Sequence, residues 1–168
     1  MPLTPPLPID LGWWGNASTS FSVGIVLGSH WAVWKWAPGF MVGPQMIYDI
    51  SCAEAIAIKL GLCVAISLHF LSPSPVGGCT FLVCSDNIGV VMVTNKGRSR
   101  SQETNKILKH IYLLQAQHQI RLKAVHVASQ NNISDTRSIT EFLASFPSIN
   151  AQISIPLLNN LVGKLVPL

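Results

Sequence analysis

Short alternating runs of apolar and polar positions open the chain and predict three β-strands, at residues 11–17, 21–27 and 30–37. Small polar residues at 18–20 and the pair at 28–29 supply the turns between them. Strands joined by turns this short pair with their neighbours in antiparallel fashion. The pattern therefore predicts a three-strand antiparallel meander at the start of the fold.

The next segments change from the strand period to longer or continuous apolar runs. Residues 51–70 predict a helix, with Ser51 as its N-cap and Glu54 three residues later in the capping-box position. The run TFLVC at residues 80–84 is followed by the polar residue Asp86. A short apolar run of this kind is typical of a buried parallel strand with polar residues at its carboxyl end.

Two further helices and a strand are predicted beyond this point. Residues 88–94 predict a short helix, residues 101–118 an amphipathic helix, and the alternating residues 120–127 a strand. The polar stretch at 131–138 can cap a last helix. The order predicts an α/β fold whose mixed sheet has the meander on one side and crossover connections on the other.

The domain limits follow from composition. Residues 1–10 are rich in proline and predict a linker, residues 11–146 predict one folded domain, and residues 147–168 are an apolar C-terminal tail or linker without a clear period. The chain is 49% hydrophobic and 11% charged, which excludes a disordered chain. Its most apolar run, at 55–71, is interrupted by Lys59 and is shorter than the roughly 20 residues of a membrane span, so we expect a buried helix and no membrane partner.

Secretory features are not found at the start of the sequence, which has neither a basic nor an apolar leader region, and we expect an intracellular protein of the cytoplasm or nucleus. The four cysteines form no CxxC pair and have no metal-ligand spacing. They are therefore interpreted as reduced, small hydrophobic residues.

The net charge of +4 favours a polyanionic partner, and its distribution is more informative than its total. Five cations fall within one short stretch: Lys96, Arg98, Arg100, Lys106 and Lys109. A nucleic-acid contact and an ordinary solvated loop and helix face both explain such a cluster.

Three of the seven acidic residues lie where separate predicted segments begin or end: Glu54, Asp86 and Asp135. Strand ends and adjoining helix starts line the crevice of open α/β sheets, so these carboxylates can converge there. Clustered carboxylates bind Mg²⁺. Each acid also has a structural interpretation: Glu54 can complete a capping box, Asp86 can cap the helix at 88, and Asp135 can be an exposed helix-start acid.

Four motifs together resemble the ribonuclease H domain of reverse-transcribing elements, and the version in fungal retrotransposon polyproteins in particular. They are WWGNAST at 13–19, CAEAIAI at 52–58, CSDNIGVVMVTNKGRSRS at 84–101 and HVASQNNISDTRS at 126–138. The resemblance covers about residues 11–141. It implies a ribonuclease-H-like mixed five-stranded sheet with flanking helices, and a polyprotein in which a reverse transcriptase module can be adjacent.

The resemblance also implies a catalytic set of four residues. In that family four acids hold two Mg²⁺ or Mn²⁺ ions that cleave the RNA strand of an RNA–DNA hybrid. It assigns Glu54, Asp86 and Asp135 as metal ligands, and the first acidic position is occupied by Asn16. Because Asn offers one neutral oxygen in place of a carboxylate, we expect a weakened two-ion site and impaired cleavage.

Other departures from the family concern the last motif. The position of a histidine that many relatives carry before the fourth acid is Gln130 here, whereas His126 lies inside the predicted strand and is expected to be packed or hydrogen-bonded. A residue is also missing after Asp135. An integrase-like nuclease would need a late glutamate, for which Glu141 is poorly placed.

Binding of a hybrid depends on groove shape, 2′-hydroxyls and phosphates. Lys96, Arg98 and Arg100 are assigned as phosphate contacts, and Asn87 as a neutral hydrogen-bonding contact.

The five tryptophans alternate on strands and are expected to pack in the core and sheet. Two hypotheses follow: an impaired ribonuclease, or a catalytically inactive nucleic-acid-binding or structural module.

Overall fold

The computed structural model describes residues 7–17, 22–28, 30–36, 41–46, 49–71, 79–128, 151–152 and 165–167. Ten elements follow one another in these residues: β1 (Trp13–Ala17), β2 (Ser22–Leu27), β3 (His30–Trp36), α1 (Ile50–Ser67), β4 (Cys79–Ser85), α2 (Ile88–Lys96), α3 (Gln102–His118), β5 (Ile120–His126), β6 (Ala151–Gln152) and β7 (Leu165–Pro167). The predicted helices and strands up to β5 are all present, with ends within about three residues of the expected ones.

The strands form one sheet in the order β5-β4-β1-β2-β3-β6, with β7 also paired to β3. Strands β1, β2 and β3 are antiparallel neighbours, and β4 and β5 run parallel to β1. Strands β1 to β5 and their helices have the order of a ribonuclease-H-like fold, so the predicted fold class is confirmed. Both tail strands pair with β3, which shows that part of the region beyond residue 147 adds to the sheet edge.

Strand β1 is preceded by a short segment that already pairs with β4. The amide of Ile9 donates to the carbonyl of Thr80 at 2.8 Å, and the amide of Leu82 donates to the carbonyl of Ile9 at 2.9 Å. The chain then turns away at Gly12, whose φ is 69°, and whose amide donates to the Asp10 carboxylate at 2.9 Å. After this turn the chain pairs with β4 again as β1, and the turn sets the register of β1 against β4.

Helix α1 begins one residue earlier than the sequence predicts, because Asp49 is its N-cap. The Asp49 carboxylate accepts from the amide of Cys52 at 2.8 Å, so the prediction of Ser51 as the cap is wrong. By length and composition α1 could cross a membrane, yet 72% of its apolar window is buried inside the protein. It packs against β1, β2, α2 and α3, as the predicted buried helix does.

The contact of α1 with β1 depends on two glycines. A Cβ on Gly61 would collide with the indole nitrogen of Trp13 and lie 3.0 Å from Cε2, and Trp13 is fully buried. A Cβ on Gly15 would lie 3.5 Å from the Cβ of Ala57. The absence of side chains at these positions lets the helix and the strand approach closely.

Helices α2 and α3 cover the other end of the sheet. In α3 the predicted apolar face is confirmed, since Ile107, Leu108 and Ile111 are buried. Strand β5 is the edge strand among the described residues, and two amide side chains bond its outer backbone groups. Asn95 of α2 accepts from the Ala124 amide at 2.8 Å and donates to its carbonyl at 2.9 Å, and Gln115 of α3 accepts from the Leu122 amide at 2.9 Å. These bonds fix both helices to the sheet and occupy an edge that would otherwise be open to another strand.

Candidate nucleic-acid and metal site

The acid edge, defined as Asn16, Glu54 and Asp86, lies at the carboxyl end of β1 and β4. In the parallel pair of these strands Trp14 is opposite Cys84. Asn16 lies two residues beyond Trp14 in β1, and Asp86 lies two residues beyond Cys84, directly after the end of β4. Their distance along the chain is large, and the parallel register brings them to one edge of the sheet.

Glu54 lies near the start of α1, the end of the helix that is next to α2. The first turns of α1 and α2 are in contact, since a Cβ on Gly89 would lie 3.4 Å from the Ser51 hydroxyl. Glu54 is one turn after Ser51, and Asp86 directly precedes the start of α2. The Glu54 side chain is only 3% exposed. A carboxylate at that depth needs compensation by donors or by a cation.

The structure removes the capping interpretations of both acids. Helix α1 starts at Ile50 after the Asp49 cap, so Glu54 is its fifth residue and does not occupy the capping-box position. The N-cap of α2 is Asn87, whose side-chain oxygen accepts from the Val90 amide at 2.9 Å, so Asp86 is not the cap. Neither carboxylate is therefore a helix cap.

Asn16 is nearly buried, with 9% of its surface exposed, and its side-chain oxygen accepts from the amide of Ala17 at 2.9 Å. The neutral amide thus already uses one lone pair of its oxygen on its own backbone. An aspartate at this position would present two anionic oxygens to the acid edge. Compared with an aspartate, Asn16 therefore lacks a negative charge, and its side-chain oxygen already accepts a hydrogen bond.

The donors of the acid edge suit Mg²⁺ in kind, because all are oxygens. Glu54 and Asp86 carry two negative charges between them, which balance one divalent ion. No group of three His, Cys, Asp or Glu side chains that could hold a metal occurs among the described residues. The first predicted position is an asparagine, which is not one of these four residue types. The predicted fourth ligand, Asp135, lies outside the described residues, as do Gln130 and Glu141.

His126 is a residue that sequence reasoning misjudged. It is the last residue of β5 and is exposed, so of the two expected states, packed or hydrogen-bonded, the packed one is wrong. In the β4–β5 register His126 is opposite Ser85, the residue before Asp86. An exposed imidazole therefore lies close to the acid edge. Its position at a strand end, directly before the polar segment that follows, was the signal available in the sequence.

The basic corner, defined as Lys96, Arg98 and Arg100, lies where α2 ends and the chain turns towards α3. All three side chains are exposed and line a surface cavity of about 460 Å³. The remaining lining residues are Met92, Val93 and Ser99. Helix α2 leads from Asp86 to this corner, over about 13 Å at 1.5 Å per residue. A single helix thus connects the acid edge to the basic corner.

Asn87 and Lys106, two other residues considered for nucleic-acid binding, have defined partners within the protein. The side-chain oxygen of Asn87 caps α2 by accepting from the Val90 amide, which leaves its second lone pair and its amide hydrogens for a nucleic-acid contact. Lys106 forms an ion pair with Glu103 at 2.9 Å on α3, in agreement with a solvated helix face. Trp13 and Trp34 are buried, which confirms that these tryptophans pack in the core.

The four cysteines are free, and only Cys52 is buried, while the other three are half-buried. Burial raises the pKa of the Cys84 thiol, and the negative charge of Asp10 raises this pKa further. Burial also raises the pKa of Cys63, against an opposing effect of Lys59. Both thiols therefore stay protonated and poorly nucleophilic at neutral pH.

Comparison with solved structures gives ribonuclease H domains. The N-terminal RNase H domain of a Mycobacterium tuberculosis protein, solved as a fusion with maltose-binding protein, is 15% identical with a TM-score of 0.46, and the match covers 77% of this chain and 95% of that chain. RNase H1 of the halophilic archaeon Halobacterium salinarum is 10% identical with a TM-score of 0.47, covering 77% and 96%. LC11-RNase H1, isolated from compost, is 16% identical with a TM-score of 0.47, covering 78% and 96%.

No protein-family model and no curated protein sequence matches this chain. At the identities and TM-scores above, the fold assignment rests on the strand order and connections of the sheet itself.

Proposed function

We propose that this chain is a ribonuclease-H-like domain that binds RNA–DNA hybrids and whose hydrolysis of the RNA strand is impaired by Asn16. What supports the proposal is the placement of Asn16 near the end of β1, Asp86 directly after β4 and Glu54 near the start of α1, with α2 leading from there to three exposed cations.

The residues of the acid edge would hold divalent cations through Glu54 and Asp86, with Asp135 as a further ligand. Bound Mg²⁺ or Mn²⁺ would supply an activated water and stabilise the leaving oxygen of the phosphodiester. The basic corner would hold the backbone of the hybrid by phosphate contacts, which carry no sequence information. Cleavage would therefore depend on the acid edge, and affinity on the basic corner.

The expected impairment follows from the charge missing at Asn16. At about 4 Å, a unit charge interacts with another by roughly 4 kcal/mol at an effective dielectric constant of 20. A divalent ion beside Asn16 loses attraction of this order, and the Asn16 oxygen must also share its lone pairs with the Ala17 amide. The reduction in metal affinity is the physical cause of the reduced activity.

The motifs of the sequence also support a retroelement origin. Within that proposal the domain is one module of a polyprotein, and an adjacent reverse transcriptase would supply the RNA–DNA hybrid as the product of its own reaction. The resemblance of the four motifs supports this context.

The test is cleavage of a labelled RNA–DNA hybrid in Mg²⁺ and in Mn²⁺ by the natural chain and by Asn16→Asp. We expect cleavage by the variant to be at least about 100-fold faster, since one ligand charge is restored. Asn16→Asp combined with Glu54→Gln is the matched control, because it has the same net charge as the natural chain and should again lack activity. Equal cleavage by the natural chain and Asn16→Asp would contradict the role of Asn16.

A second candidate function is a catalytically inactive nucleic-acid-binding or structural module. Two observations favour it: the side-chain oxygen of Asn16 is bonded to the Ala17 amide, whereas the basic corner is complete and exposed. The same assay distinguishes the two functions when hybrid binding is measured beside cleavage. Binding without cleavage by either chain would favour the inactive module.

A further inference from the structure

The loop that carries the basic corner is short and has few conformations open to it. Helix α2 ends at Gly97, which adopts a left-handed backbone with φ of 84°, and α3 starts after its N-cap Ser101. Between these two caps lie only Arg98, Ser99 and Arg100. The two arginines are exposed, whereas Ser99 is half-buried and faces the protein.

Asn105, in the first turns of α3, holds the backbone of Ser99 on both sides. Its side-chain oxygen accepts from the Ser99 amide at 2.6 Å, and its side-chain nitrogen donates to the Ser99 carbonyl at 2.8 Å. The side-chain amide of Asn105 therefore accepts one hydrogen bond from Ser99 and donates one to it, and Ser99 is the residue between the two arginines. The Ser99 hydroxyl also accepts from the Ser101 amide at 3.1 Å.

The start of the same loop is held by a second residue of α3. The Tyr112 hydroxyl donates to the carbonyl of Thr94 at 2.8 Å. Its ring lies against Gly97, where a Cβ would be 3.2 Å from the Tyr112 ring carbon Cζ. The loop is thus fixed to α3 at the end of α2 by Tyr112 and in its middle by Asn105.

An ordered loop changes the cost of binding a phosphate backbone. Long cationic side chains lose freedom when they are immobilised, and a backbone that is already fixed removes the part of this cost that comes from ordering the loop. The number of cations, and with it the number of counterions released, does not depend on whether the loop is ordered. Order of the loop therefore affects affinity without affecting its salt dependence.

We propose that Asn105 is a positioning residue for nucleic-acid binding: its side-chain amide fixes Ser99 so that Arg98 and Arg100 are presented together to a phosphate backbone. This inference rests on the proposed function of hybrid binding. Asn105 itself contacts the loop, and the arginines contact the ligand.

The experiment measures the affinity of the full chain for an RNA–DNA hybrid, in a buffer without divalent ions, at several salt concentrations. For Asn105→Ala we expect an affinity about tenfold lower at every salt concentration, with an unchanged slope of log K against log salt. For the double variant Arg98→Ala/Arg100→Ala we expect the slope to fall in magnitude by about 1.8, because two phosphate contacts are lost at about 0.9 each.

Gln115→Ala is the matched control, since it removes another side-chain amide of α3 that bonds a backbone amide away from the loop. We expect it to lower the unfolding free energy and leave hybrid affinity unchanged. Hydrogen exchange of the Ser99 amide provides a measurement independent of ligand. In Asn105→Ala this amide should exchange faster, while amides of β4 keep their protection, which also shows that the variant is folded.

The outcomes separate the two proposals. If the natural chain binds no hybrid, the proposed function fails and this inference fails with it. If the natural chain binds and Asn105→Ala binds equally well, or if Ser99 exchange is unchanged, the positioning role of Asn105 alone is overturned. An equal loss of affinity in Asn105→Ala and Gln115→Ala would likewise overturn it, because general destabilisation would then explain both.

Discussion

The acid edge and the basic corner lie at opposite ends of α2, and they differ in how far apart their residues are in the sequence. The acid edge collects side chains from β1, α1 and the end of β4, which are far apart in sequence. The basic corner takes its three cations from five consecutive residues, and its backbone is held by hydrogen bonds from α3. One region depends on long-range convergence and the other on local geometry.

Under the proposed function, this difference means that nucleic-acid binding and catalysis depend on separate regions of the molecule. Asn16 bonds the Ala17 amide, whereas the contacts that hold the basic corner come from α3. In the proposed function, a neutral residue at position 16 would therefore weaken metal binding and leave affinity for nucleic acid unchanged. Two measurements test this separation and a third tests the contact between α1 and α3, and they follow from the largest expected effect to the smallest.

The largest effect is expected from restoring the charge at the acid edge. Asn16→Asp should raise the affinity for Mn²⁺ by roughly 100- to 1,000-fold, because a nearby charge contributes a few kcal/mol. Calorimetric titration with Mn²⁺ measures this directly, without substrate. Gln102→Glu, which adds a charge at an exposed position of α3, is the control and should change the affinity little. Similar gains in both variants would show that total charge, and no specific ligand, controls metal binding.

At the basic corner, replacement of Lys96, Arg98 and Arg100 by alanine should lower hybrid affinity roughly 100-fold near physiological salt and reduce the salt slope by about 2.7. Affinity for Mn²⁺ in the Asn16→Asp background should stay the same. Fluorescence anisotropy with a labelled hybrid at several salt concentrations measures the first effect. A fall in metal affinity in the triple variant would contradict the separation of the two regions.

The smallest effect concerns the joint between α1 and α3, the helices that carry Glu54 and Asn105. The buried Lys59 amine lies 2.8 Å from Nδ1 of His110. Partial desolvation, followed by the positive charges of Lys59 and Lys109, lowers the pKa of His110 below its ordinary value of 6.5. As pH falls below 6.5, the unfolded chain therefore binds the proton more readily than the folded chain, and the folded state loses stability.

Urea unfolding between pH 8 and pH 4 measures this dependence. The contribution of His110 should be fully present above pH 6.5 and should be lost as pH falls through the lowered pKa of the folded state. His110→Gln keeps an acceptor for Lys59 and removes the titration, so its stability should decline less over the same range. An identical decline in the variant would assign the effect to other groups.

Much of the fold could be predicted because its signals are local. The meander of β1 to β3 follows from alternation and short turns, and α3 from apolar residues at helical spacing with Ser101 as its cap. The cap of α1 was predicted wrongly, since Ser51 and Asp49 are both good N-caps and only the observed hydrogen bond to Cys52 distinguishes them. Local sequence signals therefore define the elements better than their exact ends.

The candidate site could be predicted only in part. The resemblance of the motifs implied Asn16, Glu54, Asp86 and Asp135 as a set, although the capping interpretations of Glu54 and Asp86 remained open. The structure excludes those interpretations for Glu54 and Asp86 by showing Asp49 and Asn87 as the caps. His126 was misjudged because exposure at a strand end depends on what the neighbouring segments cover, which no local pattern records.

The sequence by itself determined the order and type of the elements, the neutral residue at position 16 and the clustering of the cations, because these are properties of adjacent or periodic positions. Only the tertiary structure decided that Trp14 of β1 is opposite Cys84 of β4, that the starts of α1 and α2 touch, and that Asn105 bonds the loop at Ser99. The physical reason is that parallel strand register and helix–loop contacts join distant segments. Their geometry is set by packing of the whole sheet and its helices.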